Sequence, residues 1–349
     1  MIEERIRTYI ADPASGEFEE LVRQAFAFQV ERIEPFRNLC RQRGVEPSTS
    51  LDWQEVPVVP ALAYKTLELA AEPGGEIFRS SGTTSARRSV HRHGFLDLYR
   101  ATIEAAFPRA FPVVLEQPSM LSLVPGRDRL PDSSLSFMVD HVVASWGATT
   151  SLAAFGLRGV EARKVRSFLA ARQRDGQPVL ILGTAFALAE LLEALERFDL
   201  HFRLPTGSLV FETGGYKGRS WQLTREELLV RLDERLAVPV QAVVREYGMT
   251  ELTSQLYTGA AEGGDPDLFL PPHWVRVRVL DPISLEETTP GSAGLLCVFD
   301  LANLSSAIHL LTEDLGVAHG DGIHLIGRAA SAELRGCSLT VEELTTGQR

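Results

Sequence analysis

Residues 240–251 read VQAVVREYGMTE, an apolar run followed by a short polar motif that contains one glycine. The apolar part predicts a buried strand, so the polar motif is expected at its carboxyl end, where α/β sheets bind ligands. Tyr247 offers a flat face for a purine, Thr250 a hydroxyl for a phosphate, and Glu251 a hard oxygen donor for Mg²⁺. Taken alone, the motif is better explained as a strand-to-helix loop with a capping threonine. Its interpretation therefore depends on the rest of the chain.

Short apolar runs alternate with helical patterns on the amino-terminal side of this motif. The apolar runs predict buried strands at residues 119–124, 179–182 and 209–212. Helical periodicity and good helix formers predict helices at residues 162–174, 185–198 and 224–236. This alternation predicts an α/β fold with mostly parallel strands.

The two ends of the chain show other patterns. Residues 18–39 carry apolar side chains on one stripe, which predicts an amphipathic helix that bends or ends near Pro35. After residue 270 short strands are predicted at residues 274–279, 294–299 and 323–326. We therefore predict an α/β core over residues 1–270, a small β-rich subdomain over 271–328 and a short tail over 329–349.

Composition excludes several classes of protein. The 349 residues are 44% hydrophobic and 23% charged, as in ordinary folded proteins. The net charge of −11 argues against a nucleic-acid partner, which requires a broad basic surface, but allows a small anionic ligand in a locally basic pocket. No basic and apolar leader opens the sequence, and no run approaches membrane-spanning length. We expect a cytoplasmic protein without a membrane span.

A second motif lies at residues 78–85, FRSSGTTS, followed by Arg87 and Arg88. Backbone N–H groups and hydroxyls around a glycine can converge on an anionic oxygen, and nearby arginines add positive charge. Phosphate is the ligand that this pattern favours. A polar surface turn explains the same residues equally well when the motif is considered alone.

Two shorter motifs follow later in the chain. Residues 312–316, TEDLG, contain Asp314, which is either a ribose-binding acid or a turn residue. Residues 326–328, IGR, end a strand with Arg328, which is either a ligand contact or a surface ion-pair residue. His91 and His93 are expected to be solvated in a basic loop.

Together and in this order, the four motifs resemble the adenylate-forming superfamily, over roughly residues 78–336. The resemblance implies the large-domain fold of these enzymes, with ATP and Mg²⁺ as cofactors. It further implies that the ATP phosphates are held by Ser80, Ser81, Gly82, Thr83 and Thr84. The usual glycine of this loop is replaced by Ser85 and its lysine is absent, which leaves Arg87 or Arg88 as substitutes.

The same resemblance assigns the remaining site residues. Gly214 and Gly215 would form the floor of the adenine and acyl pockets, and Tyr247 with Gly248 would contact adenine. Thr250 would serve phosphate, Glu251 would bind magnesium, Asp314 would bind ribose, and Arg328 would meet ribose or phosphate. Members of the superfamily normally continue into a lid domain that supplies a lysine. Because this chain stops at Arg349, we expect a truncated lid, with Lys217 as the replacement lysine or as a solvated loop residue.

The cysteines, and the residues around Cys337 in particular, restrict the resemblance to one family within the superfamily. Cys40, Cys297 and Cys337 are too far apart for a disulfide framework or a conventional zinc site, and the first two are expected to be structural. Residues 332–339, AELRGCSL, together with 56–66 and 131–138, resemble the LuxE-type acyl-protein synthetases. That resemblance implies that Cys337 accepts the acyl group, although a buried structural cysteine is the alternative.

The sequence therefore predicts a ligase that activates a fatty or aromatic carboxylic acid as an acyl-adenylate. The acyl group would pass to Cys337 and then to a partner reductase or transferase. Two alternatives remain open at this point. One is a ligase that uses coenzyme A or another nucleophile, and the other is a non-catalytic nucleotide-binding scaffold.

Overall fold

The computed structural model describes residues 1–81, 87–214, 223–329, 340–341 and 343–344. Packing groups the chain into two units. We call Met1–Ala105, Met249–Gln255 and Leu270–Arg349 the β-rich unit, and Ala106–Gly248 with Leu256–Phe269 the α/β unit. The predicted domain boundaries at residues 270 and 328 remain a prediction. The two units defined by packing do not follow these boundaries, because residues 1–105 pack with the carboxyl-terminal strands.

Helices form at the segments α1 Ile2–Ala11, α2 Phe18–Arg32, α3 Glu34–Arg43, α4 Leu96–Ala110, α5 Ser134–Trp146, α6 Ala162–Asp175, α7 Ala185–Arg197 and α8 Arg225–Leu236. In the part of the chain that the structure describes, no helix combines the length and the apolar character needed to cross a membrane.

Strands form at the segments β1 Val59–Pro60, β2 Glu76–Arg79, β3 Val90–His93, β4 Ser119–Ser122, β5 Leu152–Ala153, β6 Phe155–Gly156, β7 Gly159–Val160, β8 Val179–Thr184, β9 Leu209–Thr213, β10 Val243–Tyr247, β11 Leu256–Thr258, β12 Leu268–Leu270, β13 Val275–Leu280, β14 Ala293–Asp300, β15 His309–His319 and β16 Gly322–Arg328.

The α/β unit is built on a mostly parallel sheet with the strand order β11-β10-β9-β8-β4-β5. Neighbouring strands are parallel except β10 and β11. Helices α6, α7 and α8 alternate with these strands and bury apolar faces against them, with Ile181, Leu188 and Leu232 fully buried in one cluster. The predicted α/β fold, its strands and its three helices are confirmed, with small shifts at their ends.

One strand begins later than predicted. Residues Val240–Ala242 form a short 3-10 turn after Pro239, closed by a hydrogen bond from Ala242 N–H to the Pro239 carbonyl. Strand β10 therefore starts at Val243 and runs to Tyr247, so Arg245, Glu246 and Tyr247 belong to the strand instead of following it.

The β-rich unit contains an antiparallel arrangement of β13, β14, β15 and β16 in sequence order, and β1 lies parallel to β15. Strands β2 and β3 form a separate hairpin. The predicted strands after residue 270 are thus confirmed. The amphipathic helix predicted over residues 18–39 is also confirmed, and it is interrupted at Ile33 as α2 gives way to α3, with Pro35 in the first turn of α3.

Candidate active site

In the α/β unit, the predicted residues Gly214, Tyr247 and Gly248 follow or end the neighbouring strands β9 and β10. Thr213 and Glu246 are register partners at this edge, and the Thr213 hydroxyl donates to the Glu246 carboxylate. A Cβ at Gly248 would overlap Glu246 Oε1, so a larger residue there would displace the Glu246 carboxylate. Tyr247 is buried and its ring packs edge-on against Phe269 with centroids 6.1 Å apart.

A partly buried ion-pair network supports this edge, and the sequence reasoning missed it. Arg225, the first residue of α8, donates to Glu212 at 3.0 Å and to Asp267. Arg245 on β10 donates to Asp267 at 3.1 Å. Burial raises the pKa of the Glu212 carboxyl, while the charges of Arg245 and Arg225 oppose that rise. The network ties β9, β10, α8 and the segment before β12 together.

In the β-rich unit, Thr250 and Glu251 occupy the two central positions of a tight turn. The Leu252 N–H donates to the Met249 carbonyl at 3.1 Å and closes this turn. Glu251 is only 5% exposed. The residue predicted to serve phosphate and the residue predicted to bind metal are therefore adjacent on one short backbone segment.

Two side chains from distant segments hold the backbone of this turn. Nδ1 of His91 forms a hydrogen bond of 2.7 Å with the Thr250 carbonyl, and Nδ2 of Asn303 donates to the Glu251 carbonyl at 3.0 Å. Asn303 also donates to the Ala307 carbonyl at 2.8 Å and accepts from the Thr253 hydroxyl at 2.9 Å. Asn303 is fully buried, so its side-chain amide depends on these protein partners and not on water for its hydrogen bonds.

A buried carboxylate orders the residues that follow the turn. Asp300 at the end of β14 accepts the backbone N–H groups of Thr253, Ser254 and Ala302 at 2.8–3.1 Å, and the Ser254 hydroxyl at 2.6 Å. The Ser254 hydroxyl in turn accepts from the indole N–H of Trp274 at 2.8 Å. Burial raises the pKa of the Asp300 carboxyl, and its hydrogen bonds oppose the rise. The segment after Glu251 is thereby fixed from both sides.

The expectation that His91 and His93 are solvated is wrong. They are 0% and 1% exposed, because alternate residues of β3 face the interior of the unit. Their ring centroids are 4.0 Å apart, and the ring of Tyr64 packs edge-on against His91. Burial lowers the pKa of His91 to about 4, so its imidazole is neutral at pH 7. Burial, with a smaller contribution from the charge of Glu251, raises the pKa of Tyr64.

The predicted hydroxyl loop joins β2 to β3, and Ser80 and Ser81 are its described members among the predicted phosphate ligands. Ser80 N–H donates to the Ser89 carbonyl at 3.1 Å, and Ser89 N–H donates to the Ser80 hydroxyl at 3.0 Å. The Arg88 guanidinium donates to the carbonyls of Arg79 and Ser80. One of the two arginines proposed to replace the loop lysine therefore also braces the backbone of the loop.

Asp314 and Arg328 are brought together by the pairing of β15 with β16. They are register partners, and Arg328 Nε lies 3.5 Å from Asp314 Oδ1. The Arg328 side chain is 67% exposed and that of Asp314 is 18% exposed. The two predicted ribose contacts are thus neighbours on one face of the β-rich unit.

Several predicted site residues lie outside the described residues, namely Gly82, Thr83, Thr84, Gly215, Lys217 and Cys337. The other two cysteines, Cys40 and Cys297, are buried, in agreement with a structural role. Among the described residues, no group of three or more histidine, cysteine, aspartate or glutamate side chains could hold a metal ion.

The sequence and the fold both resemble known ligases. The sequence model of the family "Acyl-protein synthetase, LuxE" matches residues 152–346. The long-chain-fatty-acid–luciferin-component ligase of Aliivibrio fischeri is 21% identical over 95% of this chain and 92% of its own length. The enzyme of the same name from Vibrio harveyi is 20% identical over 94% of this chain and 88% of its own length.

Solved structures of adenylate-forming ligases share the fold. The 2-hydroxyisobutyryl-CoA ligase in complex with 2-HIB-AMP and CoA superimposes with a TM-score of 0.64 and 18% identity, over 89% of this chain and 74% of that one. ATP-bound MatB from Rhodopseudomonas palustris gives a TM-score of 0.50 and 16% identity, over 72% of this chain and 47% of that one. The predicted large-domain fold is confirmed, whereas the truncated lid remains a prediction. Since the family match extends over more than half of the sequence, the chain is a ligase that belongs to the LuxE acyl-protein synthetase family.

Proposed function

We propose that the chain uses ATP to convert a carboxylic acid, fatty or aromatic, into an acyl-adenylate and pyrophosphate, and then transfers the acyl group to Cys337. The observation that carries the proposal is the buried turn that presents Thr250 and Glu251, held by His91 and Asn303. Among the two kinds of acid, the names of the relatives favour a long-chain fatty acid.

In the first step a carboxylate oxygen of the substrate attacks the α-phosphorus of ATP, and the bond to pyrophosphate breaks. The Thr250 hydroxyl donates to a phosphate oxygen, and Glu251 supplies one carboxylate for a magnesium ion. A single protein carboxylate fits magnesium, which usually takes its remaining ligands from phosphates and water. Bound there, the ion would offset the charge that builds on the phosphates.

The nucleotide contacts follow the family resemblance. Asp314 accepts hydrogen bonds from the ribose hydroxyls, and the exposed guanidinium of Arg328 beside it meets ribose or phosphate. The hydroxyl loop, of which Ser80 and Ser81 are described, holds the phosphates. Tyr247 and Gly248 contact adenine, and Gly214 contributes to the floor of the pocket.

In the second step the Cys337 thiolate attacks the acyl carbon, a thioester forms, and AMP leaves with the electrons of the broken carbon–oxygen bond. Lys217 replaces the lid lysine beside the reacting carboxylate. The acyl-enzyme then supplies a partner reductase or transferase. These assignments rest on the sequence and on the family, because both residues lie outside the described ones.

A second candidate is a ligase that transfers the acyl group to free coenzyme A, and it is favoured by the fold shared with a CoA ligase. Membership in a family of ligases argues against the third alternative, a non-catalytic scaffold.

The first test is acid-dependent exchange of labelled pyrophosphate into ATP, screened over fatty and aromatic acids. We expect exchange in the wild-type protein and in Cys337→Ser, since adenylation precedes thiol attack. Intact-protein mass spectrometry should show an acyl adduct in the wild type and in the control Cys40→Ala, but not in Cys337→Ser. An adduct that persists in Cys337→Ser would falsify the acceptor role, and coenzyme A-dependent thioester without any adduct would select the second candidate.

A further inference from the structure

The carbonyl groups of Thr250 and Glu251 need hydrogen-bond donors that the turn itself does not supply. A β-turn hydrogen bond uses only the carbonyl of its first residue, here Met249, and leaves the central carbonyls to find other partners. Because Glu251 is buried, water is not available to donate to its carbonyl. The orientation of both central peptide groups therefore depends on donors from elsewhere in the chain, which are His91 and Asn303.

The hydrogen bond of His91 also defines its protonation. A carbonyl can only accept, so Nδ1 carries the proton and Nε2 does not. Because burial lowers the pKa of His91 to about 4, the second nitrogen stays unprotonated at neutral pH. Among the described residues, Nε2 of His91 has no hydrogen-bond partner. The hydrogen bond from Nδ1 to the Thr250 carbonyl is therefore the contact through which the imidazole acts on the turn.

The position of His91 on β3 connects the turn to the segment that follows the predicted phosphate loop. Residue 91 lies on β3, which directly follows the loop that begins with Ser80 and Ser81, and β3 is anchored to β2 on the other side of that loop. One hydrogen bond therefore links the strand behind the predicted phosphate loop to the turn that carries Thr250 and Glu251, although the two lie 159 residues apart in sequence.

We propose that His91 is a positioning residue for adenylation: its Nδ1–H holds the Thr250 peptide against strand β3, so that the Thr250 hydroxyl and the Glu251 carboxylate keep their orientation. The inference rests on the proposed function and adds a residue that acts through the turn without touching the substrate.

His93 provides a matched comparison on the same strand. It is equally buried and lies against His91, but both of its ring nitrogens lack a hydrogen-bond partner among the described residues. Its ring packs between Phe78 and Tyr99, with centroid distances of 5.3 and 5.4 Å. His93 is therefore a packing residue that phenylalanine can replace, whereas phenylalanine at position 91 keeps the ring and loses the donor.

The test compares His91→Phe, His93→Phe and His91→Asn in the pyrophosphate exchange assay, with the melting temperature of each measured in parallel. We expect kcat of His91→Phe to be about tenfold below that of His93→Phe, as a buried carbonyl loses its donor. The KM for the acid should not change. His91→Asn should recover most of the activity, because its amide nitrogen takes a place close to that of Nδ1.

Equal kcat values for the two phenylalanine variants, or no recovery in His91→Asn at matched stability, would overturn the inference. If the variants do not fold, ¹⁵N NMR of the wild-type histidine rings decides: the inference requires a proton on Nδ1 of His91 at pH 7, and a proton on Nε2 alone would refute it. Absence of exchange in the wild-type protein with every acid would instead refute the proposed function, and this inference with it.

Discussion

Asp300→Asn changes the shape of a side chain very little, yet the structure predicts a large loss of stability. Each carboxylate oxygen of Asp300 accepts two hydrogen bonds, one pair from the N–H groups of Thr253 and Ser254, the other from the Ser254 hydroxyl and Ala302 N–H. Asparagine keeps one oxygen and places an NH₂ group against donors on the other side. Two hydrogen bonds are lost, and donors that are 0–3% exposed face one another.

The size of the loss follows from two opposing effects. Hydrogen bonds to a charged group contribute about 1.5–3 kcal/mol each, so two of them amount to roughly 3–6 kcal/mol. Against this, burial raises the pKa of the Asp300 carboxyl, which means that the folded protein holds the charge at a cost that asparagine removes. We expect a net decrease in the free energy of unfolding of about 3 kcal/mol.

Urea unfolding at pH 7, followed by circular dichroism, measures this loss. The matched control is Asp281→Asn, because Asp281 also accepts two backbone N–H groups and a serine hydroxyl, but in an exposed turn. Asp281→Asn should destabilise the protein less. A loss below about 1 kcal/mol for Asp300→Asn, or one no larger than that of the control, would refute the reasoning.

Three further predictions concern single residues. Glu251→Gln should lower acid-dependent pyrophosphate exchange by about 100-fold or more with an unchanged circular dichroism spectrum, and near-normal magnesium-dependent exchange would contradict the metal assignment. Asp314→Ala should raise the KM for ATP by about tenfold or more, since hydrogen bonds from ribose to a carboxylate are lost, and an unchanged KM would count against that role. Burial lowers the pKa of His309 to about 4, below the ordinary 6.5. Between these two pH values the unfolded chain binds more protons than the folded one, so the free energy of unfolding falls as the pH drops from about 6.5 to 4. His309→Gln should remove up to about 3 kcal/mol of that pH dependence in urea titrations at pH 7 and 4.5, and an unchanged slope would show that His309 does not cause it.

The sequence predicted the α/β unit well because its signals are local. Strands such as β8 are continuous apolar runs, and helices such as α7 have good helix formers with a capping threonine at Thr184. The boundary of β10 was missed by three residues, because Pro239 directs a 3-10 turn that periodicity does not reveal. The packing of residues 1–105 with the carboxyl-terminal strands is a tertiary property, and no local pattern encodes it.

The motif residues could be singled out from the sequence because each motif is contiguous, and their roles in the site remain predictions. Thr250 and Glu251 lie in one turn, as their adjacency in sequence requires, whereas Asp314 and Arg328 are brought together by the pairing of two strands. The phosphate ligands at residues 82–84, with Lys217 and Cys337, remain predictions, since they lie outside the described residues.

The side chains that support the turn were not predicted, and they have a property in common. Each is a buried polar group that satisfies the backbone of an irregular segment, which cannot pair its own N–H and C=O groups as a helix or sheet does. Gln29 shows the rule most clearly, because it lies on the apolar stripe of α2 yet donates to the carbonyls of Asn303 and Leu304 and accepts from Ile308 N–H. His91 breaks the pattern of β3 in the same way. A polar residue at a position that periodicity assigns to the core is therefore a signal that could have identified these supports, since most buried polar side chains are hydrogen-bonded. His93 shows that the signal also selects residues that only pack.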